Sequence, residues 1–140
     1  MTSATDRAAR LESVVDDYDA ICRTVQLCLD GEATGDANKL REAFHEDARI
    51  FGSLAGERFD GHISILIDLA ATAPADTGSY RSRILSVQQD GDVAVVTVAE
   101  EGYWGSVSFV DQLSLARIND RWWIVTKLFT HTGGEPPDLG

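Results

Sequence analysis

The chain has 140 residues, 44% of them hydrophobic and 25% charged, with a formal net charge of −11. Length and composition suit one soluble domain with its own core. The acidity argues against nucleic acid, which needs clustered Lys and Arg, and against an anionic membrane face.

The first residues, "MTSATDRAARLESVV", show no apolar signal core, and no apolar run approaches the ~20 residues of a membrane helix. The longest, "ISILIDLAATA", is broken by Asp68. Cys22 and Cys28 lie six apart in a helical stretch, on different sides of the helix, so they cannot pair locally. Reduced, buried thiols in a cytoplasmic protein are the expectation.

Residues 7 to 30 carry the longest helical pattern. Leu11, Val14, Val15, Tyr18, Ile21, Cys22, Val25 and Leu29 recur at helical spacing, with charges between them. "TGD" at 34–36 breaks the pattern, and Asp36 is placed to cap a short helix, "ANKLREAF". "ARIF" then reads as a strand, the glycines as a turn and "ERFD" as a returning strand. Asp60 is expected to cap a third helix from His62 to about Ala71, which Pro74 and "DTG" end.

From residue 79 the period becomes two. "SYRSRILSVQQ" and "DVAVVTVAEEGYW" read as a hairpin turning at Asp90-Gly91. "SVSFVDQLSLARI" and "RWWIVTKLFTH" read as a second hairpin closed by Asn119-Asp120, and "TGGEPPDLG" as a mobile tail. Helices grouped ahead of a meander give an α+β fold: a curved antiparallel sheet wrapped around a long N-terminal helix with two shorter helices. One domain is expected over 7–131, with 132–140 as the tail.

Three stretches carry a resemblance. "GDANKLREAFHEDARIFG", "DGDVAVVTV" and "FVDQLSLARINDRWWIVTK" resemble the nuclear-transport-factor-2-like, or cystatin-like cone, superfamily. Within it they are most similar to the group known as putative lumazine-binding, alongside SnoaL-like proteins. The resemblance implies a cone with a cleft between helix and sheet, and spans about residues 12–131. It does not carry one activity, because the fold hosts isomerases, dehydratases, epoxide hydrolases, cyclases and non-enzymes. Set against ketosteroid-isomerase-like members, the base position falls at Gly52, the phenol near Cys28 and the buried acid near Ser114. That isomerase set is therefore not expected here.

The last hairpin bears the sharpest question. A two-residue turn puts Trp123, Val125, Lys127, Phe129 and His131 on one face, opposite Ala116, Ser114, Gln112, Val110 and Ser108. Trp122, Ile124, Thr126 and Leu128 take the other face, and a one-residue slip would exchange the two. Both faces are largely apolar, so helices should cover one and a second copy the other, giving a homodimer through the convex face. The Lys127 face is the more mixed one and is expected to line the pocket. There Lys127 could hold an anion or enol oxygen, act as a general acid, or simply pair with a carboxylate on a neighbouring strand or helix; Asp111 qualifies only if the register slips.

Three further groups stay open. His45, Glu46 and Asp47 could be a base with its orienter, a metal half-site, or a solvated helix end. In "EEGYWG", Trp104 could stack on a flat ligand, or Arg81 could pair with Glu100 across the first hairpin. His62 reads as a surface residue. The expected ligand-binding set is Tyr18, Phe51, Trp104, Gln112, Trp123, Lys127 and Phe129. Lys127, His131 and His45 are the candidate acid–base groups, with no metal and no cofactor. The readings in play are a cone that binds a small flat or hydrophobic organic molecule, a lyase, isomerase or cyclase acting on such a molecule by acid–base chemistry, and a structural dimerisation module.

Overall fold

The computed structural model describes residues 13–139. Among these residues, three helices, α1 (Val14–Thr34), α2 (Ala37–Ala43) and α3 (Ser64–Thr72), pack on a six-stranded sheet. Its strands are β1 (Phe44–Leu54), β2 (Glu57–His62), β3 (Asp76–Asp90), β4 (Val93–Tyr103), β5 (Val107–Ile118) and β6 (Arg121–Gly133). Their spatial order is β2-β1-β6-β5-β4-β3.

The α+β architecture is as the sequence implies: a curved, unclosed sheet around the long helix. The sheet is mixed rather than antiparallel, because β1 runs parallel to β6. A parallel pair cannot be joined by a tight turn. Residues 55–120, with β2, α3, β3, β4 and β5, lie between β1 and β6, so local pattern gives no sign of the pairing.

The first helix buries Ile21, Val25, Cys28, Leu29 and Glu32, a stripe at i, i+4, i+7, i+8 and i+11. Residues 7–12 of its expected span lie outside the described residues. Gly35 ends it in the left-handed region, at φ 72°, its N–H donating to the Gly31 carbonyl. Asp36 caps α2 by accepting from the amides of Asn38 and Lys39. The expected cap of α3 is absent: Ile63 occupies the N-cap position, and Asp60 instead faces Arg49 at 3.6 Å and Arg58 at 3.7 Å on the sheet edge.

The β3–β4 turn is one residue later than expected, since Asp90 pairs with Val93 and leaves Gly91-Asp92 at the tip. Gly91 takes the positive φ, 60°. The β5–β6 turn is Asn119-Asp120, at φ 51° and 62°, as read from the sequence. β6 continues to Gly133. The core joins the helical stripe to Ala94, Val96, Val98, Leu113, Leu115, Trp122 and Ile124 from the sheet.

Candidate functional site

The decisive local feature is a β-bulge at Val125. Trp123 pairs with Ala116 as the turn dictates, but Leu115 pairs with Ile124 and Ser114 with Thr126, so Val125 has no opposite number. Beyond it the register is shifted by one: Lys127 faces Leu113, Phe129 faces Asp111, and His131 faces Phe109. Trp122 and Ile124 before the bulge therefore share the concave face with Lys127 and Phe129 after it. The face assignment read from strict alternation is corrected accordingly. Trp122 is core, 3% exposed, and Trp123 lies outside, its ring covered by the Arg121 guanidinium at 3.7 Å.

Lys127 is 4% exposed and sits among three acids from three other elements: Glu32 of α1, Glu100 of β4 and Asp111 of β5, each at most 1% exposed. Its Nζ is 2.7 Å from Glu32 Oε1, 3.5 Å from Asp111 Oδ2 and 3.9 Å from Glu100 Oε1. The Tyr103 hydroxyl donates to Glu32 Oε1 at 3.1 Å, and the Cys28 thiol to Glu32 Oε2 at 3.4 Å. The Tyr80 hydroxyl donates to Glu100 Oε2 at 2.8 Å. Glu100 Oε1 and both Asp111 oxygens have no hydrogen-bond donor among the described residues.

Three carboxylates around one ammonium leave a negative excess in a dry site, and burying uncompensated charge is costly. The titrations follow from this. Burial lifts Glu100 well above the usual carboxyl range, the negative charges of Asp111 and Glu32 lift it further, and Lys127 opposes them. Burial alone would lower Lys127, but Asp111, Glu32 and Glu100 more than reverse this and hold it well above a free lysine. Tyr103, Tyr80 and Cys28 are pushed up by burial first, then by the neighbouring acids. Lys127 is therefore a firmly protonated ammonium, not a free amine. The three carboxyl groups are close enough together to share a metal ion, and the Lys127 ammonium supplies a cation among them.

Glu32, Asp111, Lys127 and Tyr103 reach a cavity walled by Ile50, Leu54, Phe59, Leu66, Leu69, Trp104, Phe109 and Phe129. Its free volume is about 30 Å³, the space of a water or of one small functional group. Tyr103 is the hub of the aromatic wall, edge-on to Tyr80, Trp104 and Phe109. Trp104 lines the cavity as expected, fixed by its indole N–H donating to the Ala73 carbonyl at 2.8 Å.

Of the expected ligand-binding set, Trp104, Lys127 and Phe129 meet at this cavity. Tyr18 (51% exposed), Phe51 (44% exposed) and Gln112 point to solvent instead. Gln112 is on the outer face because the bulge displaces its partner from Lys127 to Leu128. His131 bridges strand ends: its Nδ1 accepts from the Ala55 amide, and its Nε2 contacts the Gly133 and Gly134 carbonyls. His45 packs edge-on against Trp123 at 5.7 Å, its Nδ1 accepting from the Asp47 amide. With Trp123, His62 and Arg121 it borders a separate outer hollow of about 690 Å³. His62 is exposed, as expected. Arg81 pairs with Glu101 at 3.0 Å, not with Glu100, which faces inward.

Glu32, Glu100, Asp111 and Tyr103 are the site residues that the expected set lacked. A signal existed: Glu32 continues the helical stripe, Glu100 continues Ala94, Val96, Val98, and Asp111 lies between Phe109 and Leu113. Each acid sits at the inward phase of its element, where an apolar residue belongs.

Residues 16–130 match the family described as "Putative lumazine-binding". The chain belongs to this family. Its cone is similar to that of an NTF2-like protein of unknown function from Methylobacillus flagellatus, 31% identical, with a TM-score of 0.78 over 85% of this chain and 94% of the other. An NTF2-like protein of unknown function from Shewanella baltica shares the fold at 22% identity and a TM-score of 0.78, over 86% and 98% of the two chains. The protein named aldolase FrzH from Cladobotryum sp. is 26% identical over 113 residues, 81% of this chain and 90% of that protein. Proteins of this fold thus differ from this chain at most positions, so its chemistry must be read from the side chains inside the cone.

Proposed function

We propose that the protein is an acid–base enzyme that cleaves or forms the carbon–carbon bond of a small β-hydroxycarbonyl compound in the cone. One observation carries the reading. An ammonium with a single short contact, Lys127, and a carboxylate with no donor, Asp111, both face the same small apolar cavity. Such a pair accepts a proton on one side and steadies developing negative charge on the other.

In the cleavage direction, Asp111 takes the hydroxyl proton. The carbon–carbon pair moves toward the carbonyl, and the resulting enolate oxygen rests against the Lys127 ammonium. The proton held by Asp111 then returns to the enolate carbon. Glu32 and Tyr103 hold Lys127 in place. A Schiff base on Lys127 is disfavoured, because the surrounding acids keep the amine protonated. The aldolase name of the Cladobotryum relative supports this reaction class. The cavity volume supports a small reacting group, with any flat or hydrophobic remainder of the ligand in the aromatic mouth. Binding of a small organic molecule is common to this reading and to a role without chemistry; the orphan acid and the ammonium favour chemistry.

The test uses β-hydroxyketones of graded size, beginning with diacetone alcohol, followed by NMR for ketone release. Asp111→Asn should lower the rate by about 10²–10⁴-fold, the range of a lost general base. A wild-type protein that neither cleaves these compounds nor exchanges their α-protons with deuterium would remove the reading.

A second copy is the partner we propose for the convex face. Phe51, Leu128, Gln112 and Thr97 form one row across four neighbouring strands, with Val110 and Ala99 beside it. This row has no charged side chain, in a chain of net charge −11. A sheet-to-sheet homodimer would cover it while keeping the acidic surfaces apart. We also place the protein in the cytoplasm, on the strength of its two free thiols, Cys22 and Cys28.

A further inference from the structure

We propose that Glu100 is held as a neutral carboxylic acid that donates its proton to Asp111, making it a positioning residue that keeps Asp111 as the one carboxylate free to act as base. The positioning role rests on the function proposed above; the protonation state does not.

Geometry and charge carry the proposal. The groups facing Glu100 are Tyr80 from β3, Asp111 from β5, Lys127 from β6 and Glu32 from α1. Lys127 makes one short contact, to Glu32 at 2.7 Å, and at 3.5 Å and 3.9 Å hydrogen-bonds neither Asp111 nor Glu100. What remains is an orphan oxygen on Glu100 and two on Asp111, all buried. Two adjacent carboxylates with buried oxygens that lack donors would lose solvation uncompensated there and repel one another. A single proton on Glu100 Oε1, shared toward Asp111, removes one negative charge and satisfies a lone pair on each side at once.

The proton belongs on Glu100 rather than Asp111 for two reasons. Glu100 is the farther of the two from the Lys127 ammonium, at 3.9 Å against 3.5 Å. Asp111, not Glu100, reaches the cavity. The proton thus sits at the back of the site. Tyr80 holds the other Glu100 oxygen, and the second Asp111 oxygen stays without a donor. Glutamine has the shape and the donor of the protonated acid, with its amide N–H₂ replacing the O–H and its carbonyl still accepting from Tyr80.

The first experiment measures charge, without turnover. Capillary electrophoresis at neutral pH compares wild type, Glu100→Gln and Asp47→Asn, the last removing an exposed carboxylate. The expected result is a shift of one charge for Asp47→Asn and co-migration of Glu100→Gln with wild type. A one-charge shift for Glu100→Gln overturns the proposal. A second measurement uses only the wild-type chain, labelled with ¹³C at glutamate carboxyl carbons. The Glu100 signal, assigned through its contacts with the Tyr80 ring, should keep the position of a protonated acid through pH 7; a move to the ionised position below that pH overturns the proposal equally. The role is read by rescue on a β-hydroxyketone. Glu100→Gln should keep the wild-type rate and pH profile, whereas Glu100→Ala should shift the acid limb of the profile. Equal loss in both variants overturns the positioning role. A wild type without turnover would remove the proposed reaction and leave the charge result to stand or fall separately.

Discussion

A buried lysine surrounded by acids is a weak device for stability and a sensitive one. Exchanging such a cluster for apolar groups is often neutral, but removing one partner leaves uncompensated charge. Lys127→Met is therefore expected to cost about 3–5 kcal/mol in urea unfolding at neutral pH. That differs from the behaviour of a lysine standing alone in a pocket, where the same change would spare the fold. Glu100 has the opposite sign. Its acid is raised in the folded state, so between the unfolded and folded titrations the native chain holds a proton that the unfolded chain releases, and stability falls as pH rises. Glu100→Gln removes that slope, so it should gain on wild type from pH 5 to 8 and lose the advantage below about pH 4, where the unfolded glutamate is itself protonated.

At the level of elements, the helices and the last hairpin turn were legible because their signals are local. The stripe Ile21, Val25, Cys28, Leu29 is a periodicity, Asp36 is a cap, and Asn119-Asp120 is a turn pair. The inner face of β6 was not legible. Alternation counts residues, and a bulge inserts one that the count cannot see; every side chain after Val125 then changes face. Pairing of β1 with β6 was hidden for another reason, the distance along the chain. It leaves one test in Gly52. A Cβ there would lie 2.5 Å from the Phe129 carbonyl oxygen and 2.6 Å from its ring, so β1 and β6 can approach only without a side chain. Gly52→Ala should cost about 1–3 kcal/mol, the scale of overpacking, and should disturb the adjoining Phe129 wall of the cavity. Denaturant unfolding measures the first effect, and the Phe129 ring shifts in NMR report the second.

For the whole molecule, the question is what covers the outer sheet. Leu128 is 44% exposed at the centre of the uncharged row. Leu128→Glu should yield a folded monomer by light scattering if two copies meet there, and an unchanged mass would remove the convex-face dimer. Trp122 cannot serve for this test, because at 3% exposure a charge there would be buried in the core. The fold family was legible in the sequence because its landmarks are spread over most of the chain. The acid cluster was not, because its four members are one residue from each of four elements, and only the fold brings Glu32 and Lys127 to the two strand acids.

That dispersal has a temporal side. Glu32, Glu100, Asp111 and Lys127 leave the ribosome in that order, and the cation comes last. Until β6 is made, three inward-facing acids have no counter-charge, and β1 has no partner on its parallel edge. The cone can close only after the final strand threads between β1 and β5, a long-range step of the kind that slows folding. The same strand that completes the sheet also brings its interior the one counter-charge, so assembly of the curved wall and assembly of the site are one event.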